Sequence, residues 1–265
     1  MKKIKLIATD IDGTLFDSKH HYDKKRLNNY LDKLHQQNVK FAVASGNNRD
    51  HLEKIFTDSP KIDLFIAENG SQIYSKEKTL YEKTMPKEII NSLITSLPKN
   101  LDLKAISLSG KKASYAETSV GLPLYHINNL VCVDDLSKVQ DDIFKINIQL
   151  NHTDLDDATK FLNDHYQDTI YAAVSGFGTI DIMSPHINKA IGLKHLCELE
   201  NISLDNVLAF GDNTNDLEMI KESGIGVAMK NAKDSVKEAA DRISHDDNEH
   251  DGVLSEIAEI FDFAD

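Results

Sequence analysis

Three short apolar runs, residues 4–9, 39–44 and 63–67, alternate with stretches whose apolar residues recur at helical spacing. Leu27, Tyr30, Leu31 and Leu34 predict a helix over about residues 23–37, stopped at Asn38, and Leu52, Ile55 and Phe56 a second that starts near Arg49. Strand, helix, strand, helix, strand leaves few topologies, and right-handed parallel units of an open α/β sheet dominate them. Ligands of such sheets bind beyond the carboxyl ends of the strands. The runs end there on Asp10-Ile11-Asp12-Gly13-Thr14, on Ser45-Gly46-Asn47 and on Glu68-Asn69-Gly70. The same pattern resumes late in the chain. A helix over residues 188–200 leads to a buried strand at 206–210, which ends on Gly211-Asp212-Asn213-Thr214-Asn215-Asp216. A short helix at 217–221, a strand at 225–229 and a helix at 253–261 follow.

The middle reads differently. Strands are predicted at 101–108, 113–116, 144–150, 170–174 and 179–183, partly alternating in polarity, with helices only at 87–97 and 155–165. Strands adjacent in sequence suit an antiparallel sheet with helices to one side. Pro86 and Pro185 stand near the two ends of this stretch, as suits hinges. The expected architecture is therefore an α/β parallel-sheet core from residues 1–83 and 186–265, with an α+β cap inserted at 84–185.

Composition narrows the partners. The 265 residues carry a net charge of −13, which opposes a nucleic acid or an anionic membrane as partner but not a small anion held by local charge. The apolar start of the chain is short and stops at Asp10, so no signal peptide is expected, and no run is long enough to span a membrane. Cys132 and Cys197 have no metal or redox spacing and read as reduced, semi-buried thiols of a cytoplasmic protein. The sequons at Asn151 and Asn201 then count as chance.

Asp10 and Asp12 raise the question of chemistry. Two carboxylates two residues apart at the end of a buried strand repel each other and are costly to desolvate. Taken alone, the motif fits equally well a strand followed by an Asx-type turn with both acids in solvent. A further strand end carrying Asp212 and Asp216 changes the balance, because four carboxylates converging on one sheet edge require a cation. Oxygen ligands without His or Cys at ligand spacing suit Mg²⁺. Lys189, at the start of a predicted helix, opposes the helix dipole unless it reaches an anion, although an isolated lysine is more often a surface residue.

Together, Asp10-Ile11-Asp12-Gly13-Thr14, Ser45-Gly46, Asn188-Lys189-Ala190 and Gly211-Asp212 through Asn215-Asp216 resemble, in order, the four motifs of the haloacid dehalogenase-like (HAD) phosphatases of the Cof type. Ala44-Ser45-Gly46-Asn47, Ala67-Glu68-Asn69-Gly70, Ser175-Gly176-Phe177-Gly178 and Asp246-Asp247-Asn248-Glu249-His250 are similar to the sugar phosphatases of that branch. The resemblance implies a Rossmann-like HAD core with the cap between the second and third motifs. It departs at Asn47, where the common pattern has Arg, and at Ala190, where Gly is usual.

The resemblance also implies roles. Asp10 is the expected nucleophile and Asp12 the acid and base, with Mg²⁺ held by Asp10, the Asp12 carbonyl and Asp212. Ser45, Gly46, Lys189 and Asn215 are expected to bind the phosphate or substrate, with Thr14, Asn47, Asp216 and, on the cap, Phe177 in support. The expected substrate is a small phosphorylated metabolite, a sugar phosphate in particular. A phosphomutase or phosphotransferase shares the same intermediate, and a non-catalytic phosphate-binding regulator could keep the same fold. A dehalogenase needs no Asp12 and is disfavoured. Residues 245–251 could form a second metal site but read more simply as a polar loop near the site rim. The segment 175–178 reads either as a substrate-contacting loop or as a tight turn.

Overall fold

The structure is a computed structural model that describes residues 3–62, 64–117, 129–152, 154–175 and 178–263; Gly176 and Phe177 lie outside the described residues. In chain order the elements are β1 (Leu6–Thr9), α1 (Lys24–Gln36), β2 (Lys40–Ala44), α2 (Arg49–Ile55), β3 (Leu64–Ala67), β4 (Gln72–Ser75), β5 (Thr79–Glu82), α3 (Lys87–Asn100), β6 (Leu103–Gly110), β7 (Ser114–Glu117) and β8 (Leu130–Val133). There follow β9 (Ile143–Leu150), α4 (Leu155–His165), β10 (Tyr171–Val174), β11 (Ile180–Met183), α5 (Lys189–Glu200), β12 (Val207–Gly211), α6 (Leu217–Glu222), β13 (Ile225–Ala228), α7 (Asp234–Ala239), β14 (Arg242–Ile243) and α8 (Gly252–Phe261).

The chain divides into two compact units. One comprises Met1–Asn47, Leu52–Tyr81 and Asn188–Asp265; the other comprises Asn48–His51 and Glu82–Ile187. The first is built on a sheet of order β14-β13-β12-β1-β2-β3-β4-β5, in which the strands from β14 to β3 run parallel and β4 turns back antiparallel. The α/β core with a parallel sheet is therefore present as the alternation required. Register sets the site: Thr9 pairs with both Phe210 and Val43, so Asp10 stands level with Gly211 and Ala44, one residue before Asp212 and Ser45.

Local chemistry explains the flanking helices. Asp23 caps α1 by accepting a hydrogen bond from the Arg26 amide at 2.9 Å, and Asn38, with φ of +56°, turns the chain out after it. Leu27, Tyr30, Leu31 and Leu34 are buried as their spacing requires, each large apolar side chain contributing roughly 1.5–3 kcal/mol. Asn188 caps α5 through the Ile191 amide at 2.8 Å, which puts Lys189 in the first turn.

The second unit holds a six-stranded sheet of order β10-β11-β9-β6-β7-β8, antiparallel except for the β7–β8 pair. Ile146 and Ile148 of β9 and Ile180 and Ile182 of β11 pack with Leu93 and Leu97 of α3 and Leu162 of α4. The two-residue period of a strand then sends Lys145, Asn147 and Asp181 to the opposite face.

Among the described residues, four strands and one helix exceed what the apolar pattern predicts: β4, β5, β8, β14 and α7. β4 (Gln-Ile-Tyr-Ser) follows a tight turn within five residues of β3 and has no alternation long enough to read. β8 is Leu-Val-Cys-Val yet largely exposed, which also corrects the expected semi-burial of Cys132; only Cys197 is buried.

Candidate active site

Asp10 continues the β1 ladder, its amide donating to the Phe210 carbonyl at 3.1 Å. Lys189 approaches from α5 and donates from Nζ to Asp10 Oδ1 and to Asp216 Oδ1, both at 2.6 Å. The ammonium is 1% exposed and Asp216 is wholly buried. Asp216 Oδ2 in turn accepts from the amides of Asp212 at 3.0 Å and Asn213 at 3.1 Å, which fixes the turn after β12. Asp212 Oδ1 accepts the Thr14 hydroxyl at 2.7 Å. The turn that carries Thr14 depends on Gly13: its φ is +82°, and a Cβ there would stand 2.6 Å from Asp212 Oδ2.

Carboxylate oxygens of Asp10, Asp212 and Asp216 lie within 4.8 Å of one another, and among the described residues this is the cluster able to share an ion. The Asp12 carboxylate is not one of the three; the metal role expected of Asp12 concerns its carbonyl. Burial, and then Asp216, push the Asp10 carboxyl well above the usual range, with Lys189 opposing them. Burial and Asp216 likewise raise Asp212 to about 7, against the Thr14 hydrogen bond. Burial alone would lower the Lys189 pKa, but Asp10 and Asp216 reverse this and hold the ammonium charged. Fully ionised, three carboxylates against one ammonium would leave two negative charges in a buried place, and a divalent cation on oxygen donors would match that deficit.

Asp12 sits at the rim. Asn47 Nδ2 donates to its Oδ2 at 3.3 Å, and His20 Nδ1 lies 3.4 Å from its Oδ1. The Asn47 amide donates to Ser45 Oγ at 3.1 Å, which orients the hydroxyl at the end of β2. Asn215 Nδ2 donates to Asn69 Oδ1 at 3.4 Å. Asp10, Asp12, Thr14, Ser45, Gly46, Asn47, Lys189, Asp212, Asn215 and Asp216 all belong to the first unit. Phe177 is outside the described residues.

Two neighbours escaped the sequence reading. His20 reads as one of a solvated surface pair, yet Asp17 Oδ1 accepts from the Lys19 and His21 amides at 2.9 and 2.7 Å, and this turn brings His20 back to Asp12. Asn231 donates to the Gly13 carbonyl at 2.7 Å and accepts from the Asn248 amide at 3.2 Å. Asn248 Nδ2 also donates to the Phe16 carbonyl at 2.9 Å, so the loop at 246–250 braces the segment after Asp12.

Buried acids at adjacent strand ends with one shared lysine are the equipment of a hydrolase working on an anionic group. A sequence profile of the haloacid dehalogenase-like hydrolases matches residues 7–257, and the chain belongs to that family, as a Cof-type phosphatase and hence a phosphoric monoester hydrolase. It is 30% identical to the 5-amino-6-(5-phospho-D-ribitylamino)uracil phosphatase YbjI of Escherichia coli, over 97% of this chain and 96% of that protein. The Bacillus subtilis 5-amino-6-(5-phospho-D-ribitylamino)uracil phosphatase YitU is 25% identical over 97% of each. Among solved structures, that of SMU.1108c from Streptococcus mutans superposes with a TM-score of 0.91 at 31% identity, covering 98% of this chain and 100% of the other. No helix among the described residues is long and apolar enough to cross a membrane.

Proposed function

We propose that this protein is a Mg²⁺-dependent phosphatase of small phosphorylated sugars or sugar alcohols, acting through an aspartyl-phosphate on Asp10. The observation that carries the reading is the buried Lys189, which holds Asp10 Oδ1 and Asp216 Oδ1 at 2.6 Å each. With one oxygen of Asp10 anchored, the other is available to attack phosphorus as the ester P–O bond breaks. Asp12 protonates the leaving alkoxide, then takes a proton from the water that releases inorganic phosphate and regenerates Asp10. Asn47 and His20 steady that carboxyl at 3.3 and 3.4 Å. Ser45, Lys189, Asn215 and the main chain at Gly46 bind the phosphoryl oxygens, where negative charge accumulates.

Mg²⁺ would be held by Asp10, Asp212 and the Asp12 carbonyl, and when bound it supplies positive charge that screens the incoming phosphate from the carboxylates. Asp216 keeps Lys189 and the Asp212 turn in place. Residues 84–185 serve as the cap that selects the leaving group, with Phe177 in its substrate loop. YbjI and YitU are named for activity on a phosphate carried by a five-carbon polyol, the ribityl chain, and this supports a phosphorylated sugar or polyol as the substrate class. Two cysteines without a disulfide suit a reducing compartment, and we place the enzyme in the cytoplasm.

The test is a turnover screen of sugar and polyol phosphates, the phosphoribitylamino-pyrimidine included, with Mg²⁺ and in chelator, on the wild type and Asp10→Asn. Release of phosphate that needs both the metal and Asp10 is expected, with the variant down by at least about 10⁴-fold. Undiminished release in chelator, or by the variant, would reject the mechanism; no release from any polyol or sugar phosphate would reject the substrate class.

A further inference from the structure

The Glu68-Asn69-Gly70 turn has no role in the mechanism above, yet its backbone is the most unusual in the first unit. Three consecutive residues after β3 have left-handed φ, at +52°, +54° and +104°, and all three are buried. Non-glycine residues seldom adopt that region, and a run of them in a buried turn persists only where the surroundings hold it. The surroundings here are three site loops. The Glu68 amide donates to the Asn47 carbonyl at 3.1 Å and the Asn69 amide to the Ser45 carbonyl at 3.0 Å, so the turn is stitched to the Ser45 loop on both sides of Gly46. Asn69 Oδ1 accepts from Asn215 Nδ2 at 3.4 Å, which joins it to the loop after β12. Gly70 lies against the cap of α5, where a Cβ would come within 2.3 Å of the Asn188 carbonyl, next to Lys189.

We infer that Asn69 is a positioning residue of this phosphatase: it sets the Asn215 amide and the Ser45 loop at a fixed separation beside Lys189, so that groups from three chain segments meet one phosphoryl group together. The inference rests on the reading of Ser45, Lys189 and Asn215 as phosphate contacts. Asparagine fits the place for two reasons. Among non-glycine residues it is one of those that tolerate left-handed backbone, and its short amide supplies an acceptor while the main-chain N–H remains engaged with Ser45. Three loops held in one geometry before substrate arrives leave less ordering to be done on binding.

The experiment is a double-mutant cycle of Asn69→Gly with Asn215→Ala. Glycine keeps the left-handed turn and the amide to Ser45 and removes the acceptor for Asn215. If Asn69 acts through Asn215, each single change lowers kcat/KM by about tenfold and the double change by about tenfold as well, not a hundredfold. The same cycle read as the Kd for inorganic phosphate reports coupling without turnover. Additive losses in both readouts, or wild-type behaviour of Asn69→Gly, would overturn the assignment, as would a neutral Asn215→Ala. Asn69→Ser, whose hydroxyl falls short of Asn215, repeats the measurement if the glycine variant does not fold. Failure of the phosphatase reading looks different: the wild type itself then releases no phosphate, while the phosphate Kd cycle still decides the role of Asn69.

Discussion

Each unit of this protein sets a lysine against a buried carboxylate, and the two lysines are set up in opposite ways. In the six-stranded sheet Lys145, 11% exposed, meets Asp181, 2% exposed, at 2.8 Å, and Asn147 Nδ2 donates to the other Asp181 oxygen at 2.7 Å. Here a cation meets an anion whose second oxygen is also satisfied. In the eight-stranded sheet Lys189 faces Asp10 and Asp216, with Asp212 beside them and no second cation among the cluster residues. A balanced buried pair is weak evidence of function, because it can be replaced by apolar residues at little cost. An unbalanced cluster is different: its excess negative charge has to be relieved by a proton, a cation or a reaction brought to it.

This contrast can be broken by experiment. The largest effect is expected for Lys189→Met, which strands three acids: kcat/KM should fall by about 10³-fold or more and stability by about 3–5 kcal/mol. Adding Asp216→Leu should recover part of the stability and none of the turnover. Recovery of turnover would show that Lys189 merely neutralises Asp216.

In the other unit Lys145→Met should lower stability by about 3 kcal/mol, because Asp181 loses its partner. The double change Lys145→Met with Asp181→Leu should return to within about 1 kcal/mol of the wild type, as measured by denaturant unfolding. A double variant as unstable as the single would mean that the pair resembles the Lys189 cluster more than the contrast allows.

A smaller effect sharpens the comparison through pH. A carboxyl whose pKa is higher folded than unfolded keeps its proton longer in the folded state, so its contribution is favourable at low pH and is lost as pH rises. For Asp212 the window runs from about 4, the ordinary value, to about 7. In chelator the melting temperature should therefore fall across that window, and Asp212→Asn should flatten the fall. A melting temperature that rises over the same range, or an unchanged slope in the variant, would contradict the burial argument.

The sequence displayed more of the core than of its details. Asp10, Ser45 and Asp212 were legible because each follows a buried apolar run, and Lys189 because it falls in order with them among the four motifs; the structure pairs Lys189 with Asp10 and Asp216 and sets a carboxylate oxygen of Asp212 within 4.8 Å of theirs. The edges were not legible. β14 is two residues long, and β5, Thr-Leu-Tyr-Glu, is only partly buried, so neither produces a pattern that hydrophobicity could reveal. His20 was hidden for another reason: its approach to Asp12 depends on a turn closed by Asp17, and nothing in the spacing of two adjacent histidines announces it. Asn69 could be seen as part of a motif, but its link to Asn215 spans 146 residues and exists only after folding.

The same long spans govern how the molecule is made. Asp10 meets Lys189 across 179 positions and Thr14 meets Asp212 across 198. At a synthesis rate of about 5–20 residues per second, Asp10 exists for roughly 10–40 s before its lysine has been added to the chain. During that time β1 has no β12 beside it and its acidic end no counter-charge, so the strand at the centre of the finished sheet is the one that waits longest. Completion of the acidic cluster is a late event in biosynthesis, and a nascent chain halted inside the second unit has no means of assembling it.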